Sequence, residues 1–132
     1  MTTRVKTATE ILAMRESGRM LAMILTKLEA MVKPGVSTKD IAVIAARELK
    51  ALGVEAPFLG YQGFPDVICV SLNNEVVHGI PRSDNIIKDG DLVSLDFGVN
   101  YRGMITDSAL TVIAGQSSNQ KAIDLVKYTA VA

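Results

Sequence analysis

Two aspartates, Asp96 and Asp107, carry the most suggestive chemistry in this sequence. They stand in two strand-like runs, Asp91 to Val99 and Met104 to Ile113, joined by Asn100-Tyr101-Arg102-Gly103. If the turn centres between Tyr101 and Arg102, Asp96 faces Asp107 across an antiparallel hairpin. A three-residue turn instead makes the pair diagonal. Like charges directly opposed on one sheet face are destabilising. Such a pair is tolerated if it shares a proton, sits in water at an edge, or shares cations. His78 is the one histidine, in the apolar run VVHGIP. Its side chain alone has an ordinary pKa near neutrality. In that setting a hydrogen-bonded structural role is the plainer reading. Cys69, in VICVS, reads as buried and inert, with no basic neighbour to activate its thiol. Phe58, Tyr61 and Phe64 fall in the glycine-rich stretch FLGYQGFP, which fits a loop lining an apolar pocket. Asn73-Asn74 is a turn signal.

These residues must be positioned by regular elements. Thr7-Ala8-Thr9-Glu10 has capping-box spacing. Behind it, Ile11, Met14, Gly18, Leu21, Leu25, Leu28 and Val32 mark one face of a long helix ended by Lys33-Pro34-Gly35. Ser37 to Asp40 is a second cap. Ile41, Ile44, Ala45, Leu49 and Leu52 line the helix that follows, and Gly53 sits at its C-terminal stop. Asp66 to Leu72 reads as a strand, Glu75 to Pro81 as further extended structure, and Ser117-x-x-Gln120 as the cap of a third helix. The fold class is α+β: two N-terminal helices, an antiparallel sheet and the start of a further helix.

The 132 residues allow one domain, over 1–132, with enough sequence for one core. Fourteen basic residues balance fourteen acidic ones, which argues against a nucleic-acid or anionic-membrane surface. A single cysteine makes no intrachain disulfide, and the longest apolar run, Met20 to Leu25, is too short to span a bilayer. The expected location is the cytoplasm.

Taken in order, MVKPGVSTKDI, FLGYQGFPDVICVSLNNEVVHGIP and KDGDLVSLDFGVNYRGMITDSALTVIAG resemble type I methionine aminopeptidases. The resemblance implies half of a pita-bread fold, the N-terminal half. It implies removal of the initiator methionine from nascent chains, with N-terminal Met peptides as substrates, at the ribosome. It also implies up to two divalent metal ions (Co, Mn, Fe or Zn). Asp96 and Asp107 match the two aspartate ligands, the first bidentate to one metal and the second bridging both. His78 matches a histidine that contacts substrate and helps move protons. Tyr61, Phe64 and Cys69 match the methionine pocket, and Asn73 a loop that in some members binds a monovalent cation. Phe58 stands where several relatives have cysteine. The family's remaining histidine and two glutamate ligands have no counterpart here. The expectation is an N-terminal fragment inactive alone; the alternative is a non-catalytic half that self-associates or binds a partner through its uncovered sheet.

Overall fold

A computed structural model describes residues 4–132. Helix α1 spans Ala8–Glu29 and α2 spans Thr38–Leu52. Strands β1 (Ile68–Leu72), β2 (Leu92–Tyr101) and β3 (Met104–Ile113) form one antiparallel sheet in the order β1-β2-β3. Helix α3 covers Gln120–Val131.

Both expected capping boxes form, because each satisfies orphaned backbone donors within one turn of chain. Thr7 accepts from Glu10 N, and Ser37 accepts from Asp40 N. Gly53 ends α2 with a left-handed φ of 65°, a conformation glycine adopts without steric cost. Helix α1 stops at Glu29, short of the Lys33-Pro34 breaker. Its buried face includes Leu21, Leu25 and Leu28 as the spacing predicts, and also Ser17, Met20 and Ile24. Ile11, placed on that face by the spacing, is 43% exposed, because the core lies under the later turns. Ser17 is buried by bonding: its hydroxyl donates to Val99 O at 2.9 Å and lies 2.8 Å from Thr106 Oγ1. That pair seats α1 across β2 and β3.

The core sits between the helices and one face of the sheet. Val93, Leu95, Phe97 and Val99 point into it with no exposure, as strict alternation along β2 demands. Ile68, Val70 and Leu72 continue that layer on β1, against Ile41, Ala45 and Leu49 of α2. The opposite face carries Ser94, Asp96, Gly98 and Asn100 of β2.

Two local expectations are corrected. Residues 75–81 form no strand: His78 has a left-handed φ of 59°, and the segment meets β1 through two separate backbone bonds, Glu75 N to Leu72 O at 3.0 Å and Val70 N to Gly79 O at 2.9 Å. A Cβ on Gly79 would lie 2.4 Å from Val70 O, so only glycine permits this approach. Helix α3 is capped by Asn119, which accepts from Ala122 N, and not by Ser117. No residue of α3 is buried. No helix among the described residues is long and apolar enough to cross a membrane.

Candidate functional site

The β2–β3 turn fixes the relation of the two aspartates. Arg102 and Gly103 both take left-handed φ values, 53° and 77°, so a two-residue turn closes on the pair Tyr101–Met104. The turn centre therefore lies one residue later than the facing arrangement requires. Asp96 is opposite Ala109, and Asp107 is opposite Gly98. The aspartates are diagonal neighbours on one face, with backbones roughly 7–8 Å apart. Arg102 tolerates its unusual φ with its guanidinium 5.1 Å from the Tyr101 ring centroid. The diagonal still leaves the two carboxyl groups near enough to interact. Asp96 is pushed above its ordinary value of 3.8, first by burial, then by the charge of Asp107 and a carboxyl–carboxyl hydrogen bond; His78 pulls the other way.

Strand β1 adds a third group. Cys69 stands directly opposite Asp96 and is 3% exposed. Its thiol is pushed up to about 11, by burial first and then by Asp96 and Asp107. This thiol is a proton-holding, apolar wall, not a nucleophile.

A cavity of about 530 Å³ opens above these three residues. Tyr61, Phe64, Cys69, His78, Asp96 and Asp107 all line it. The 58–65 segment reaches it through a short 3-10 turn over Tyr61–Gly63, flanked by left-handed Gly60 and Gly63. Tyr61 is at the exposed rim, 68% accessible, while Phe64 is half-buried. The outcome is one apolar wall, one carboxylate pair and one imidazole around a common space. Gln62, Pro65 and Ile80 also line it, as does Phe58. The first three escaped the sequence reading. Gln62 and Pro65 lie among the aromatics of GYQGFP, and Ile80 follows the glycine that docks on β1; that adjacency was the available signal.

Asn73 is elsewhere. It has a left-handed φ of 52°, donates from Nδ2 to Asp91 Oδ1 at 2.9 Å and accepts from Leu92 N at 3.0 Å. Those bonds staple the end of β1 to the start of β2.

As a metal site the residues fit in part. Two adjoining carboxylates are hard oxygen donors suited to a divalent cation. No group of three or more His, Cys, Asp and Glu side chains is close enough together to hold a metal ion among the described residues.

Comparison with known proteins bears on the family and the fold. The chain is 43% identical over 126 residues to a methionine aminopeptidase of Aquifex aeolicus, covering 89% of this chain and 49% of that protein. It is 46% identical over 114 residues to methionine aminopeptidase 1 of Bacillus subtilis, covering 86% and 46%. The crystal structure of methionine aminopeptidase from Thermotoga maritima superposes with a TM-score of 0.94 at 36% identity, over 98% of this chain and 51% of that one. The chain thus spans about half the length of the curated relatives it matches, and its fold is half of a pita-bread. The model of metallopeptidase family M24 matches residues 12–130, nearly the whole of the chain, which therefore belongs to that family.

Proposed function

We propose that this chain is the N-terminal half of a metal-dependent methionine aminopeptidase, acting on N-terminal Met peptides and nascent chains in the cytoplasm. The observation that carries the reading is the single cavity lined by Tyr61, Phe64, Cys69, His78, Asp96 and Asp107. Asp96 and Asp107 would hold divalent metal, their mutual repulsion supplying part of the reason to bind it. When bound, such an ion polarises the scissile carbonyl and acidifies water. The chain's own residues do the rest of what this half can do. Tyr61 and Phe64 offer flexible-ligand-sized apolar surface for a methionine side chain, and protonated Cys69 closes the pocket without adding charge. His78, exposed at the mouth, would hydrogen-bond a peptide backbone and exchange a proton there. The sequence holds only this one imidazole, so a histidine ligand has to come from residues outside it.

By itself the chain is expected to hydrolyse Met-peptides negligibly. Release of methionine from Met-Ala-Ser with added Co or Mn tests this. Turnover comparable to that of a complete enzyme overturns the half-site reading.

A second reading is favoured by exposed apolar side chains: Leu125 and Tyr128, each 61% exposed, and Val131, 78% exposed, on α3, and Ile105, 54% exposed, on β3. These apolar side chains suit a second copy of the chain as partner. Light scattering decides it: a monomer at every concentration removes self-association.

A further inference from the structure

Gly98 stands on β2 between Asp96 and Asn100, on the face that bears the cavity, and is buried. Its φ lies outside the left-handed region, so backbone conformation does not call for glycine here. Space does. A Cβ at 98 would lie 2.7 Å from Pro57 Cγ and 3.0 Å from Phe58 Cε1.

The chain before the cavity is held down at that point. Glu55 N donates to Asn100 O and Asn100 N donates to Glu55 O, each at 3.1 Å. Asn100 Nδ2 also donates to Glu55 Oε2 at 2.6 Å. Two residues earlier on β2, Pro57 and Phe58 rest on the bare Cα of Gly98. Phe58 then forms wall of the cavity, and Gly98 is the direct cross-strand partner of Asp107.

We propose that Gly98 is a positioning residue. Its missing side chain lets the Phe58 ring lie against β2, and this sets the width of the cavity between the aromatic wall and the carboxylate pair. The choice of ligand below rests on the methionine-pocket reading; the placement of the ring does not. A methyl group at 98 overpacks a tight contact, and Pro57 with the Phe58 ring, or the strand, must shift.

The test is a two-residue cycle on the full chain: wild type, Gly98→Ala, Phe58→Leu and the double variant. Calorimetry with norleucine amide reads the pocket. Gly98→Ala is expected to weaken binding about tenfold, and the double variant to recover part of that loss, the contact with Pro57 remaining. Fluorine NMR of protein carrying 4-fluorophenylalanine reads the ring directly. The sequence has three phenylalanines, so Phe58→Leu assigns its resonance by deletion. In Gly98→Ala the Phe58 signal should move while that of core Phe97 stays.

An unmoved Phe58 signal, or additive losses in the double variant, overturns the proposal. If Gly98→Ala fails to fold and the double variant folds, the ring is the obstacle and the proposal holds; if neither folds, it is overturned. Absent norleucine amide binding in the wild type removes the methionine-pocket reading, and the fluorine signal still decides the role of Gly98.

Discussion

Cys69 and Asp96 face each other across β1 and β2, and after burial the Asp96 charge helps hold the proton on the Cys69 thiol. The unfolded thiol ionises near 9.0, whereas the folded one keeps its proton to about 11. Its contribution to stability is therefore intact below pH 9 and is lost as pH rises from 9 to 11. Cys69→Ala should remove that alkaline loss in urea titrations. At pH 8 the folded thiol should also react with a disulfide reagent about a hundredfold more slowly than the unfolded one. Asp96 has the same sign. Its raised pKa favours the protonated fold, so stability is full below pH 3.8 and declines as pH rises through the raised value. With chelator at neutral pH, Asp96→Asn should gain at most about 1 kcal/mol in urea unfolding. The same variant should bind Mn or Co more weakly by calorimetry; unchanged binding retires the ligand assignment. The types of these residues were legible in the sequence. Their diagonal relation was not, because it depends on two left-handed residues, one of them an arginine.

The elements were legible where their determinants are local. Capping boxes at Thr7–Glu10 and Ser37–Asp40, and the glycine stop at Gly53, act within one turn of helix. Ser37→Ala should accordingly cost about 1 kcal/mol by thermal or urea unfolding. The β2–β3 turn is similar in kind. Gly103 has a φ of 77° with open space around it, so Gly103→Ala acts on backbone strain alone. The expected loss is about 1–2 kcal/mol, with register preserved in backbone NMR. The 75–81 segment misled the pattern because its apolar residues look like a strand. Val76 and Val77 are in fact 89% and 61% exposed, and the segment is held on β1 by Glu75 at Leu72 and by Gly79 at Val70.

Across the whole molecule, stability is unevenly placed. Phe97 is fully buried at the centre of the core, and Phe97→Ala should cost about 3–5 kcal/mol, enough to unfold a marginal domain. Helix α3 buries no residue, so its amides should exchange with solvent sooner than those of β2 in hydrogen-exchange measurements. The sequence by itself determined the α+β class, the two capped helices, the strand pair and the residue types of the pocket. Those follow from hydrophobic period and from side chains acting on their own backbone. Only the tertiary structure decided the register that makes Asp96 and Asp107 diagonal and sets Cys69 opposite Asp96. It alone pressed Phe58 onto Gly98 and gathered Gln62 and Ile80 into the same cavity. These depend on close packing between segments distant in the chain, which no local spacing encodes.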